Sequence, residues 1–386
     1  MNRILYLGTN RLYLNKNMEI VTALMKKVAE TCFFGPGFTE PDILKRGVRE
    51  FVENTGPYDF VITDAVILFW DPATGHNPLK GSYNYFSYDE VKHVFTDMIN
   101  FFLDTRGSIP YKVFYPNFDP YNMSSAIKDR LQSADCYLFT RDKKFWSTKD
   151  EMTGLKYEKF SSKVNDNWSN FVSDNHNKII SFHGTVSESD FRFHPLSLRK
   201  YDVGVPGVAY HSRKVATSKL KNSELQICPS AAGYRRNFKS LLFRMSRSRL
   251  ALSWTQDTFQ WNIEDTKMNF TCGSALGYSI RKFVEIPAKG SLLMCLPFTG
   301  FKHVGYDNGM NCITLEPENI CEVANDLIQN PERMQRLANA GQEMVMSLHS
   351  FSARLMQLDR MLSCIKSDSF YGSEWINGRL VIHEKL

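Results

Sequence analysis

The sequence predicts an α/β protein made of two Rossmann-like domains with parallel sheets. Short apolar runs alternate with longer segments at helical spacing from Arg3 to Thr140, and the alternation resumes after Lys200. Strands of five or six apolar residues separated by helices of ten or more indicate parallel sheets covered on both faces. At 386 residues the chain also has the length of two domains rather than one.

The elements follow in order. Arg3–Leu7 is an apolar strand ending at Gly8, and Met18, Val21, Leu24, Met25 and Val28 define a helix. A strand at Thr31–Phe34 runs into the turn Gly35-Pro36-Gly37, and one helical segment covers Ile43–Glu53. Tyr58–Asp64 is a buried strand ending in an acid, and a helix over Tyr88–Leu103 precedes strands at Tyr111–Pro116 and Asp135–Thr140. The stretch from Arg141 to Asn177 is polar, aromatic-rich and weakly periodic, and Lys178–Gly184 is a strand that either domain could own. The second unit opens at Tyr201–Gly207, a strand ending in a glycine turn; a basic helix and a strand at Arg249–Trp254 follow. Ser279 is a candidate N-cap for a helix holding Ile280, Phe283 and Val284, which Pro287 should shorten or distort before the strand Ser291–Leu296. The end is helical: Glu318–Gln329, then a helix capped by Asn330 with Pro331 at its first position and running to about Ser347, then Phe351–Leu362. The expected division is 1–180, 181–365 and a tail, 366–386, that packs back on the N-terminal domain.

Hydrophobic content of 43% with 23% charged residues supports a core that needs no staples. The eight cysteines form no C-x-x-C pair, so buried thiols are expected rather than a zinc site or disulfides. The opening apolar run is too short for a signal peptide, no stretch approaches a membrane span, and a cytoplasmic protein is expected. The net charge of +6 is uneven: the segment 235–249 carries Arg235, Arg236, Lys239, Arg244, Arg247 and Arg249 and no acid. It is a solvated face, a contact for anionic lipid at the inner face of a membrane, or a nucleic-acid patch without an accompanying motif.

A nucleotide-sugar site needs backbone donors for phosphate, a carboxylate for the ribose hydroxyls, and a cation for the charge on the leaving phosphate. Gly277-Tyr278-Ser279-Ile280-Arg281-Lys282-Phe283-Val284-Glu285 offers all three, with Arg281 and Glu285 sharing one helix face. Read alone, that pair is equally an ordinary i,i+4 surface pair. For general-base chemistry on an acceptor hydroxyl, Asp64, Asp119 and His183 each stand just after a strand, where open α/β sheets bind ligands. Each is also the kind of residue that merely caps or turns the chain.

Arg281 to Leu293 resembles the segment R-K-x-x-E-x-x-A-x-G-x-x-L of group-1-like glycosyltransferases, in particular the CgeB-like spore-maturation branch. Lys200–Gly207 is similar to the strand that opens that family's donor domain. Phe301, Gly305 and Asn308–Ile313 resemble the loop and strand after its donor pocket. Asn330–Arg333, Ala338–Gly341 and His349-Ser350 resemble its terminal helices. The resemblance covers residues 200–362 and implies a GT-B enzyme whose sheets face across a cleft. It implies that Glu285 binds the donor ribose, that Arg281, with Lys282 and Ser279, lies at the donor phosphate, and that Gly207 permits close approach. Many retaining relatives carry a second Glu where this chain has Gly277, which leaves the stereochemical course open. No D-x-D motif stands at a strand end, and the expectation is transfer without a cofactor or a bound metal. The acceptor expected is a glycan or lipid-linked glycan of bacterial surface-polysaccharide assembly. His194-Pro195 is similar to the His-Pro pair of some sialyl- and Kdo-transferases, a signal of low specificity. The alternatives are a phage-type glycosyltransferase acting on DNA bases and a non-catalytic GT-B-like binding or spore-surface protein.

Overall fold

The computed structural model describes residues 2–10, 16–71, 73, 75, 77, 79, 86–104, 108–116, 123–141, 166–207, 211–229, 262–273 and 279–385. The proposed site residue Asp119, the basic segment 235–249, Gly277 and the strand expected at Arg249–Trp254 lie outside them.

The first sheet is built by β1 (Asn2–Leu7), α1 (Lys16–Val28), β2 (Ala29–Phe34), α2 (Pro41–Arg46), α3 (Val48–Thr55), β3 (Phe60–Asp64), α4 (Ala65–Leu68), α5 (Tyr88–Leu103), β4 (Tyr111–Tyr115), α6 (Ser125–Ala134), β5 (Tyr137–Thr140), α7 (Asp166–Asp174) and β6 (Ile179–Ser181). Its six strands are all parallel, in the order β2-β1-β3-β4-β5-β6, and the strand order reverses at β1, just before Gly8. Ile4, Tyr6, Phe60 and Ile62 face one side of this sheet, and Leu5, Leu7, Val61 and Phe114 the other, so both faces are apolar and both are covered. β6 closes this sheet, which assigns the strand that the sequence left open.

The second sheet comprises β7 (Tyr201–Gly204), α8 (His211–Leu220), β8 (Thr266–Thr271), α9 (Lys282–Ala288), β9 (Leu292–Cys295) and β10 (Ile313–Thr314), followed by α10 (Ile320–Gln329) and α11 (Pro331–His349). Its four strands are parallel in the order β10-β9-β8-β7. The chain then returns. α12 (Phe351–Lys366) packs Leu358, Met361, Leu362 and Ile365 into the core beneath the first sheet, beside Leu24 and Met25 of α1. Burying each such side chain contributes about 1.5–3 kcal/mol, so this one helix is a substantial tie. A terminal hairpin, β11 (Phe370–Ile376) and β12 (Arg379–Glu384), follows. Ser373 fastens it to the edge of the first sheet, its hydroxyl donating to the Ile179 carbonyl and accepting from the Ser181 amide at 2.9 and 2.7 Å.

Three local expectations are corrected. The segment Ile43–Glu53 is two helices, because Gly47 at φ +92° breaks it and the Asp97 carboxylate takes the Val48 amide at 2.7 Å, where a Cβ at residue 47 would stand 3.1 Å from that carboxylate. Ser279 does not cap α9: Arg281, itself in helical conformation, is the residue before Lys282, and no side chain caps that end. Asn330 does stand before α11, but its amide donates back to the Asp326 carbonyl rather than capping. Pro287 falls where α9 ends, as a shortened last turn requires. It lies one residue from the end of α9, and the carbonyl its missing N–H leaves free, that of Phe283, accepts from the Tyr306 hydroxyl at 2.8 Å.

Among the described residues no helix is long and apolar enough to cross a membrane.

Candidate functional site

The carboxyl ends of the second sheet gather a cationic cluster from three separate segments. β7 runs out through Val205 and Pro206 to Gly207 at φ +101°, and a Cβ there would stand 2.6 Å from Lys282 Cε and 3.1 Å from Arg213 Nη1. Only a residue without a side chain lets the backbone pass this close to both cations. Arg213, in the first turn of α8, is almost wholly buried and donates to Thr271 Oγ1 at 3.0 Å and the Cys272 carbonyl at 3.4 Å, at the end of β8. Lys282 opens α9. Burial lowers its ammonium below the ordinary range; Glu285 opposes that shift, while Arg213 and Arg281 add to it. Ser212, beside Arg213, has a buried hydroxyl without a hydrogen-bond partner among the described residues.

Glu285 points back along α9 to Arg281, with Nε 2.6 Å from Oε1, and Arg281 Nη2 also stands 3.6 Å from Asp190 Oδ2. This is not a solvated surface pair: the three side chains are 11%, 12% and 6% exposed. Asp190 ends a 3-10 turn, Glu188–Asp190, in the segment that joins the two sheets. Its carboxylate accepts from the Ser187 amide at 3.1 Å, while Glu188 accepts from the amide and hydroxyl of Ser352 at 2.7 and 2.6 Å, where α12 begins.

The carboxyl edges of the two sheets meet at Ser279. Its carbonyl accepts from Arg141 Nη2 at 3.0 Å, just past β5, and its hydroxyl lies 3.4 Å from His183 Nδ1, just past β6. His183 is buried and stacked on Phe298 at 5.8 Å, with His349 at 5.1 Å on another side. Burial holds its pKa well below the ordinary range, with His349, Arg141 and Arg354 adding repulsion, so it is neutral at pH 7. His349 donates from Nε2 to the Val304 carbonyl at 2.8 Å and accepts at Nδ1 from Arg354 at 2.7 Å. That arrangement fixes the neutral tautomer, and burial followed by Arg354 lowers its pKa to about 3.

Asp64 stands at the same edge of the first sheet, fully buried. Its Oδ1 accepts from the amides of Val66 and Ile67 at 2.9 and 3.2 Å, capping α4, and its Oδ2 accepts from the Tyr6 hydroxyl at 3.1 Å. This is a capping geometry. Tyr6 and Tyr115 are held protonated by burial first and the Asp64 charge second. Of the two acceptor-side candidates among the described residues, His183 contacts the second half of the chain, through Ser279 and Phe298.

The fold thus brings together Gly207, Lys282, Ser279, Arg281, Glu285 and His183. It adds residues that sequence reading missed: Arg213, Asp190, Arg141, His349 and Arg354. No local pattern announced them, because an arginine in a helix or after a strand reads as a solvated charge until the tertiary contacts are known. The strand β8 was also missed, since its buried Thr266, Asn269 and Thr271 mask the apolar alternation of Met268 and Phe270. An open groove of about 1010 Å³ lies elsewhere, at the amino end of the second sheet, lined by Pro195, Leu196, Lys267, Met334 and Arg336 among others. His194-Pro195 belongs to that side. Open α/β sheets bind ligands at the carboxyl ends of their strands, so the cluster around Gly207, not this groove, is the candidate. Among the described residues no group of three or more His, Cys, Asp or Glu is arranged to hold a metal ion.

No family model matches the sequence, and no curated protein does. Solved structures match over the whole chain. HepE of Anabaena, in complex with UDP-glucose, aligns at a TM-score of 0.50 with 11% identity, covering 94% of this chain and 100% of its own. Sucrose-phosphate synthase from Thermosynechococcus elongatus aligns at 0.53 with 9% identity, covering 96% and 100%. The chain has the GT-B fold of these proteins, two Rossmann-like halves with parallel sheets.

Proposed function

We propose that this chain is a glycosyltransferase that takes a sugar from a nucleotide donor bound at the carboxyl edge of the second sheet. A shared fold does not carry a function by itself. The observation that carries this reading is the convergence of Gly207, Arg213, Lys282 and Glu285 from three segments on one point of that edge, opposite His183 of the first sheet. Arg213 and Lys282 supply two positive charges to a diphosphate, and the glycine lets the backbone come close. The hydroxyl of Ser212, unpartnered among the described residues, is a further donor for it. Glu285 is the acceptor for the ribose hydroxyls. Cations already fixed by packing stabilise the charge on the leaving nucleotide without reorganising during the reaction.

The acceptor belongs in the cleft on the side of the first sheet. His183, neutral and beside Ser279, is the candidate base of this reading, ahead of Asp64, whose oxygens are engaged by amides and Tyr6. A division of labour at about residue 180 and a glycan or lipid-linked acceptor, with transfer independent of metal, rest on the sequence resemblance. In both solved GT-B structures the fold accompanies sugar chemistry by name: HepE holds UDP-glucose, and the other is a sucrose-phosphate synthase.

Thermal unfolding in the presence of UDP, GDP, CDP and dTDP tests the donor site. A nucleotide at 100 times its Kd stabilises by about 2.7 kcal/mol, a shift that Glu285→Ala and Arg213→Gln should cut to about half or less. Absence of a shift with every nucleotide refutes the reading.

A further inference from the structure

We infer that Arg281 is not a phosphate ligand but a positioning residue, which holds the Glu285 carboxylate for a ribose by sharing its charge with Asp190. The inference rests on the donor site proposed above and departs from the role that the sequence resemblance implies for Arg281. Its starting point is a charge count in a confined space. One guanidinium stands between two carboxylates, Nε 2.6 Å from Glu285 and Nη2 3.6 Å from Asp190, and all three side chains are nearly buried. Lys282, which also interacts with Glu285, brings the four charges to balance, so neither carboxylate has a spare cation. A phosphate approaching Arg281 would have to displace a carboxylate and bury it unpaired, a costly exchange in a poorly solvated site. Arg213 and Lys282 offer phosphate a better partner. Arg213 donates to a hydroxyl and a carbonyl, both neutral, and Lys282 opens α9 next to Gly207.

The second part of the argument is what holds Arg281. Among the described residues none of its three guanidinium nitrogens makes an aligned hydrogen bond, so the side chain is held by charge. Asp190, by contrast, is fixed. It closes a capping box with Ser187, and the neighbouring Glu188 caps the start of α12. Arg281 therefore ties the donor carboxylate to the segment that joins the sheets. Without the cation, Glu285 and Asp190 face each other as buried like charges, and Glu285 turns away or takes up a proton.

The test is calorimetric titration of the full chain with three probes: UDP, 2′-deoxy-UDP and inorganic pyrophosphate. The unsubstituted protein should favour UDP over 2′-deoxy-UDP. Arg281→Gln should weaken UDP roughly ten-fold, the worth of one charge-assisted hydrogen bond, bring the UDP to 2′-deoxy-UDP ratio close to one, and leave pyrophosphate within about two-fold. Arg281→Lys should restore part of the ratio. Arg213→Gln should weaken all three probes alike. A fall in pyrophosphate affinity in Arg281→Gln with the ratio intact makes Arg281 a phosphate ligand; it overturns this inference and leaves the donor site standing. If unsubstituted protein binds none of the probes, the donor site itself is refuted and the role of Arg281 with it. Should Arg281→Gln fail to fold, Arg281→Lys, which keeps the charge without the fork, is compared with the unsubstituted protein: the positioning role requires the ratio to fall part of the way with pyrophosphate unchanged, and an unaltered ratio overturns it.

Discussion

His349 gives the sharpest quantitative test of the junction between the two halves. Its imidazole is fully buried, with Nε2 donating to the Val304 carbonyl and Nδ1 accepting from Arg354, and its pKa is lowered to about 3 from the ordinary 6.5. A base whose pKa is depressed by folding binds fewer protons folded than unfolded. Its contribution to stability is therefore complete above pH 6.5, falls as the pH drops below that value, and stops falling near pH 3. At about 1.36 kcal/mol per pH unit, the roughly 1.5 units between 6.5 and 5 cost the folded state about 2 kcal/mol. His183 is shifted in the same direction, again by burial first, and adds to the loss. For a domain of this size about 2 kcal/mol lowers the unfolding temperature by roughly 4–8 °C.

Two measurements check it. Imidazole proton resonances followed from pH 7.5 to 5 should include ones that fail to titrate, and these should vanish in turn in His349→Gln and His183→Gln. Thermal unfolding over the same range should show a weaker pH dependence in His349→Gln, whose amide can still donate to Val304 and accept from Arg354. A His349 resonance that titrates near 6.5, or an unchanged pH dependence in the glutamine variant, refutes the buried neutral tautomer.

Three further outcomes are expected. Gly207→Ala forces an L residue to φ +101° and a Cβ to within 2.6 Å of Lys282, so strain of about 1–3 kcal/mol should weaken nucleotide binding roughly ten-fold or more in titration calorimetry while circular dichroism stays unchanged. Asp64→Asn keeps an oxygen for the amides of Val66 and Ile67 and should retain turnover, whereas Asp64→Ala loses the cap and orphans the Tyr6 hydroxyl, costing about 1–3 kcal/mol in denaturant titration; loss of turnover in Asp64→Asn with stability intact would make Asp64 the base instead. Tyr306→Phe leaves the Phe283 carbonyl opposite Pro287 without its donor and should cost about 1–3 kcal/mol in denaturant titration; an unchanged midpoint would mean that water or another group satisfies that carbonyl.

The parallel strands were legible because a strand buried on both faces is an apolar run, and Phe60–Thr63 or Leu292–Cys295 can be little else. Local signals failed where a single residue overrides its neighbours. Gly47 splits a helix whose apolar spacing continues across it. The terminal hairpin carries a readable sign, Asn377-Gly378 between alternating residues, and both adopt the positive φ (46° and 77°) of a tight hairpin turn. The site was half legible. Arg281, Lys282 and Glu285 share one helix and one motif, so spacing revealed them. Arg213 and His183 reach the same region only because β7–α8 and β6 end at facing edges, a fact of sheet order that no window of sequence contains.

The pairing of Arg281 with Glu285 shows why the two sequence readings of that motif were never exclusive. It is an i,i+4 ion pair, as the bland reading holds, but both side chains are about nine-tenths buried. A solvated pair of this kind contributes a few tenths of a kcal/mol and can be lost without consequence. A buried one carries a desolvation penalty that its mutual attraction offsets only in part, so its presence calls for a reason beyond stability. A third charge, Asp190, stands beside them, and two cations, Arg213 and Lys282, stand close by around Gly207. The interior of this edge therefore holds buried charges of both signs side by side. On the proposed reading, a ribonucleoside diphosphate would meet both, its phosphates at the cations and its ribose hydroxyls at the carboxylate.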